Sequence, residues 1–301
     1  MTPEGKNLCR SGKYTLLYIL SLLLFGSNGI IASYIDMDSC SIVFYRTMIG
    51  SIFLIGAFLT SGGRFRFFEI DRRHLLYIIG SGGAMGTSWM LLYEAYQRIG
   101  VGLASLLYYT GPVIVMVLSP MLFLEKLTVR KLLCFVVVII GMVMTNLRQL
   151  QSGGDAFGLF CGLGSAVMYA FMVILNKKAE SVTGMKNAAI QLTMSFLTVA
   201  FFVCFRGGPA LSHKGEQWLW MLLLGLLNTG AGCCLYFSSI RHLPVQSISV
   251  LGYLEPLSAL ILSVALLHEH FSLLQGIGAV LILGGAVLMS SGDFQRHPER
   301  Q

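Results

Sequence analysis

Two charged residues lie inside long apolar stretches of this sequence. They are Glu255, in SISVLGYLEPLSALILSVALL, and Arg46, in SIVFYRTMIGSIFLIGAFL. An ionisable group in hydrocarbon is costly enough to point to function by default. A carboxyl there suits the uptake and release of a proton, which makes the proton the coupling ion it would serve. An arginine suits a substrate carboxylate, or Glu255 itself. Each residue also has a structural reading. Glu255 can bond backbone groups freed by Pro256, and Arg46, about two turns in from the end of its stretch, can snorkel to the interface. Tyr109 and Tyr253 each precede a proline, Pro112 and Pro256, by one turn, and either line a cavity or pack between helices. Helix breaks at such prolines are tolerated where they line a cavity or are covered by neighbours. Asn28 and Asn228 lie deep in apolar stretches, where an amide binds a polar solute or bonds to another helix. Asn176 and Gln191 carry the same alternatives. Trp89 faces either solute or a neighbouring helix.

Other chemistries lack their residues. His268-Glu269-His270 has metal-ligand types, but side chains at i and i+2 do not share a helix face. The seven cysteines are scattered without ligand spacing, so neither a metal site nor a disulfide framework is expected. No Walker-type phosphate loop is present, so no nucleotide cofactor and no direct use of ATP are expected. An intramembrane lipid-modifying enzyme is the alternative reading. It would need clustered His and acidic residues on facing helices, and the sequence offers none. Glu94, Glu125 and Glu269 fall at span ends, where solvation or capping accounts for them.

The elements that must position these residues are membrane helices. The chain is 55% hydrophobic and 12% charged, against about 25% charged in soluble domains. Apolar runs of roughly 20 residues recur along its length, enough to cross a hydrocarbon core of about 30 Å. Ten spans are expected: 14–33, 39–60, 74–95, 101–123, 131–148, 157–177, 187–205, 217–238, 244–267 and 272–291. Membrane lipid is the partner this implies. The net charge of +7 does not call for nucleic acid, because the basic residues fall in short loops. With the N-terminus in the cytoplasm, sixteen Lys and Arg residues lie in cytoplasmic segments, and only Arg98, Arg148, Arg206 and Lys214 lie outside. That bias places both termini in the cytoplasm. Gly82 and Gly86, and Gly158 and Gly162, have the spacing of close helix contacts.

The chain is also duplicated. A shift of 144 residues puts Pro112 on Pro256, Tyr109 on Tyr253, Glu125 on Glu269 and Gly141 on Gly285. From Gly86 to Met144, 14 of 59 positions are identical without a gap, so the two halves share one design. Five spans per half is an odd number, so the second copy enters the membrane from the opposite side. The hinge EKLTVRK carries three basic residues, whereas its partner EHFSLLQ carries none, as inversion requires. The fold expected is an all-α membrane protein of ten transmembrane helices, built as two inverted five-helix repeats. Repeat 1 covers residues 14–149 and repeat 2 covers 157–291, with cytoplasmic tails at 1–13 and 292–301. Its small-molecule substrate site belongs near the midplane, where the repeats meet.

Two five-span halves, each ending in a Pro-containing span, an acidic turn and a Gly-rich span, resemble the EamA family of the drug/metabolite transporter superfamily. The stretches that carry the resemblance are ASLLYYTGPVIVMVLSPMLFLEKLTVRKLLCFVVVIIGMVM and SISVLGYLEPLSALILSVALLHEHFSLLQGIGAVLILGGAVL. Phe25-Gly26 in span 1 and Arg46 in span 2 fit the same pattern, and the likeness extends over residues 14 to 291. It departs at the turn between spans 9 and 10, where the family usually has Gly-Glu and this chain has His268-Glu269. The resemblance implies a carrier of the bacterial inner membrane, often an exporter of amino acids or other small metabolites, sometimes an importer; a secondary exporter of amino acids or amphipathic compounds is the function expected here.

Overall fold

Long apolar stretches must satisfy their backbone hydrogen bonds internally, and helices do so in lipid. A computed structural model describes residues 3–64, 70–124, 128–145, 155–210, 215–267 and 273–294, and no strand occurs among them. The hinge residues 125–127 and 268–272, with Glu125, His268, Glu269 and His270, lie outside the described residues.

Span 1 is α1 (Pro3–Gly26) followed by α2 (Asn28–Ser33), and span 2 is α3 (Ser39–Thr60). Spans 3 and 4 are α4 (Arg72–Tyr108) and α5 (Gly111–Phe123), and span 5 is α6 (Val129–Thr145). Spans 6 and 7 are α7 (Ala156–Lys178) and α8 (Gly184–Phe205). Span 8 joins α9 (Gly215–Leu223), a π-helical segment (Leu224–Ala231) and α10 (Gly232–Ser239). Span 9 is α11 (Val245–Leu251) and α12 (Leu254–Leu267), and span 10 is α13 (Leu273–Phe294). Aspartates set three of the starts. Asp38, Asp71 and Asp155 accept hydrogen bonds from the backbone N–H groups of Ser41, Arg73 and Gly158, which satisfies donors that a first helical turn leaves free. Six described helical stretches are individually long and apolar enough to cross a membrane. Spans 4 and 9 are broken and span 5 is shorter, while span 10 is a 22-residue helix. Exposed Leu16, Phe160, Phe205, Leu219 and Val280 give the surface the apolar character lipid requires.

One span boundary differs from expectation. No loop separates spans 3 and 4, because α4 runs through residues 96–100. Ser81 and Ser88 donate to the carbonyls of Met172 and Ser165 at 2.6 and 2.8 Å. Farther on, Ile99 lies against Gly158, Leu107 against Gly162 and Tyr169 against Gly111. The order along α7 first falls and then rises, so the chain doubles back near Ile99 while keeping helical hydrogen bonds. Spans 4 and 9 are each two pieces, with the breaks at Pro112 and Pro256, the prolines at which the sequence leads one to expect them. Pro112 and Pro256 lack the N–H that would bond four residues back, at Tyr108 and Gly252, and their rings clash with those carbonyls. The helices therefore stop there and restart, with each proline in a first turn.

The repeats are related by a pseudo-two-fold axis that can be read from reciprocal contacts. Gly141 sits on the carbonyl of Gly278, and Gly285 on that of Cys134; a Cβ would come within 2.6 and 3.0 Å. Shifting one pair by 144 residues gives the other pair in exchanged order. Span 3 packs on spans 6 and 7, as span 8 packs on spans 1 and 2, and spans 5 and 10 pack on each other. The major contacts run between the repeats rather than within them. The molecule is all-α, with ten transmembrane helices in two inverted five-helix repeats. Gly82, Gly86, Gly158 and Gly162 all sit in close inter-repeat contacts.

Candidate functional site

A cavity of about 500 Å³ lies between the repeats, within the size of small-molecule sites. It runs from Met37 and Ser39, where span 1 hands over to span 2, down to Glu255 at the break in span 9. Its wall is rich in aromatic residues: Phe25, Trp89, Tyr93, Tyr96, Tyr108, Tyr109, Tyr169, Tyr236 and Phe237 all line it. Tyr108 meets Tyr109 and Tyr169 edge to face, each at 5.4 Å between ring centroids, and the hydroxyls of Tyr169 and Tyr236 are 3.4 Å apart. These contacts fix the ring orientations, so the wall is set before a solute arrives.

Arg46 is 3% exposed and its guanidinium is held on three sides. Its Nε donates to Thr229 Oγ1 at 3.0 Å and its Nη1 to Tyr93 Oη at 3.2 Å; the plane lies 4.7 Å from the Trp89 ring. Thr229 belongs to the π-helical segment of span 8, a local widening that helices often carry at functional sites. Glu255 is in the first turn of α12, where the helix N-terminus favours a negative charge. Its carboxylate makes no hydrogen bond or ion pair with any described residue. It faces the cavity as the one acidic group in its lining.

Asn28, Arg46, Trp89, Tyr109 and Glu255 therefore share one cavity lining. The other candidates stand behind it. Asn228 is fully buried and donates to Leu24 O, Ser27 Oγ and Asn28 Oδ1 at 2.9, 2.7 and 3.0 Å, which orients Asn28. Tyr253 is also fully buried, and its hydroxyl donates to the carbonyl of its repeat equivalent Tyr109 at 2.9 Å. Pro112 and Pro256 make the breaks without lining the space. Tyr93, Tyr96, Tyr169 and Tyr236 were not singled out in the sequence. One signal was there: Trp89, Tyr93 and Tyr96 have the i, i+4, i+7 spacing of a single helix face. For Tyr236 no such pattern exists.

The two ends of the cavity differ. Away from the mouth, Lys177 Nζ donates to the carbonyls of Ile240, Arg241 and Leu243, which closes the end of span 8 on span 6. Tyr14 stacks on His242 at 3.6 Å. Asn176, Asn187, Gln191 and Ser81 form a buried hydrogen-bonded set across spans 3, 6 and 7. At the mouth's face, Glu94 binds both Arg98 and Arg206, at 2.9 and 3.0 Å, so it is more than a solvated span end. Arg98 reaches Asp155 at 3.1 Å and holds that carboxyl below the usual aspartate range.

Comparison with known proteins adds to this geometry. A family model, the EamA-like transporter family, matches twice, at residues 12–147 and 156–291. An uncharacterized transporter, YxxF, of Bacillus subtilis is 25% identical over 277 residues, covering 90% of this chain and 87% of that protein. The threonine/homoserine exporter RhtA of Escherichia coli K12 is 26% identical over 252 residues, covering 82% of this chain and 79% of its own length. A solved crystal structure shares the fold with a TM-score of 0.78 at 20% identity, covering 93% of this chain and 98% of its own. The paired repeats, the cavity between them and the double match lead to one conclusion: the chain belongs to the EamA-like transporter family.

Proposed function

We propose that the protein is a secondary exporter of small amphipathic metabolites, amino acids among them, in the bacterial inner membrane with both termini in the cytoplasm. Its mechanism is alternating access. The observation that carries this reading is a cavity between the repeats that opens at one face and is closed at the other by contacts within repeat 2, from Lys177 to the end of span 8, and between the repeats, Tyr14 on His242 and Gln191 on Ser81. Because the repeats are equivalent, exchanging the contacts made at the two faces closes the present mouth and opens the sealed side. The basic bias of the loops puts the mouth on the external face. The likeness to a threonine/homoserine exporter supports solutes of amino-acid size.

Glu255 is the coupling group. A lone carboxylate at this depth costs about 2.5–3.5 kcal/mol on insertion scales, and both a proton and a solute relieve that cost. Each would therefore displace the other, which links outward solute movement to inward proton movement. Proteoliposome flux of amino acids, nucleosides and amphipathic amines, with and without a pH gradient, tests the reading. Saturable flux driven by the gradient is expected in wild type, with the gradient's effect lost in Glu255→Gln. A variant with unchanged flux and unchanged pH dependence removes proton coupling from Glu255. Absence of flux for every solute removes the exporter.

A further inference from the structure

Resting on that reading, we propose that the cavity recognises its solute through an ammonium group placed between the Glu255 carboxylate and the surrounding tyrosine faces. The required feature of a substrate is an amine on an apolar body, and a carboxylate on the solute is dispensable. The observations are asymmetric in charge. Both polarities line the cavity, through Arg46 and Glu255. The guanidinium spends two of its five N–H donors on Thr229 and Tyr93 and lies over the Trp89 face. The carboxylate feels the Arg46 charge across the cavity but has no hydrogen-bond or ion-pair partner among the described residues. The group with no direct partner is therefore the anion, and a cationic head supplies one.

The wall agrees. Tyr108, Tyr109 and Tyr169 are set edge to face around this part of the cavity. Aromatic faces attract cations and accept flat apolar bodies, and a desolvated site strengthens that attraction. The same faces repel an anion. A solute carboxylate entering here would meet π-electron density and Glu255, with Arg46 turned toward its own partners.

Three solutes of nearly equal size separate the possibilities: phenethylamine, phenylalanine and 3-phenylpropionate carry an ammonium, both groups, or a carboxylate alone. Equilibrium binding and flux are measured for each with the full-length wild-type protein in lipid vesicles, so the main comparison depends on no variant folding. The amine and the amino acid are expected to bind at least tenfold more tightly than the carboxylate. In Glu255→Gln the preference for the amine should shrink by at least tenfold. Equal or tighter binding of 3-phenylpropionate overturns the inference, as does failure of all three to bind. Binding with the expected order but without flux leaves the inference standing and overturns the exporter. Flux with the reverse order does the opposite.

Discussion

Arg46 shows how one side chain can be too costly to bury and still stable. Its two hydrogen bonds and its stacking on Trp89 replace the water it gave up, and each bond to a charged group contributes about 1.5–3 kcal/mol. A lysine keeps the charge but loses the planar fork that reaches Thr229 and Tyr93 together. Arg46→Lys is therefore expected to cut solute flux roughly tenfold or more while protein yield stays near wild type; unchanged flux in vesicles would show the fork to be unimportant. Tyr253 makes a smaller contribution. Tyr253→Phe leaves the Tyr109 carbonyl without its buried donor, a loss of about 0.5–1.5 kcal/mol. Thermal denaturation in detergent should fall by about 2–4 °C.

At the scale of elements, Pro112 and Pro256 divide two spans so that backbone ends, rather than continuous rods, meet at the centre of the molecule. The break in span 9 is what brings a helix N-terminus and Glu255 to the cavity. Span 1 must then approach span 9 closely. A Cβ at Gly26 would lie 1.8 Å from Ser258 Oγ and 2.8 Å from the Glu255 carbonyl, whereas one at Gly29 meets nothing within 4 Å. Gly26→Ala must push a backbone aside, since the neighbouring carbonyl cannot rotate away as a side chain can. It is expected to cost about 1–3 kcal/mol, the usual range for overpacking. Gly29→Ala should be neutral or slightly stabilising, because alanine favours helix. Paired melting curves check this, and equal curves would contradict the packing.

Across the whole molecule, equivalent spans make two unlike ends, one open at the mouth and one closed. The closed side depends on Lys177, whose ammonium gathers three carbonyls at the end of span 8. Removing it leaves those acceptors without their donor and weakens the sealed state relative to its counterpart. Loss of one charge-assisted bond, at the magnitude above, corresponds to about a tenfold shift in population. A single cysteine at Met172, which lines the cavity, reports this shift. With the seven native cysteines replaced, membrane-impermeant thiol reagent should reach it from the mouth side when Lys177 is kept. In Lys177→Ala, labelling from the opposite side should rise about tenfold. Labelling that stays on the mouth side alone would show that Lys177 does not hold the seal.

The sequence by itself determined the class, the duplication and the inversion, because apolar length, the 144-residue repeat and loop charge are one-dimensional quantities. It also exposed Glu255 and Arg46, since a charge in an apolar run is visible without coordinates. It could not show which of the two was already partnered. That depends on Thr229, Tyr93 and Trp89, which are brought to Arg46 from spans 8 and 3. Nor could it separate the Tyr109 that lines the cavity from the Tyr253 that supports it, because repeat equivalence makes them alike in sequence. Tyr169 and Tyr236 looked like ordinary packing residues and became a wall only when spans 6 and 8 met spans 3 and 4. The closed face was hidden for the same reason: its main contacts join residues distant in sequence, such as Lys177 and the end of span 8, 63 or more positions on. Local pattern fixes which segments become helices; burial and unspent hydrogen-bonding capacity, which only packing decides, fix where a solute can be held.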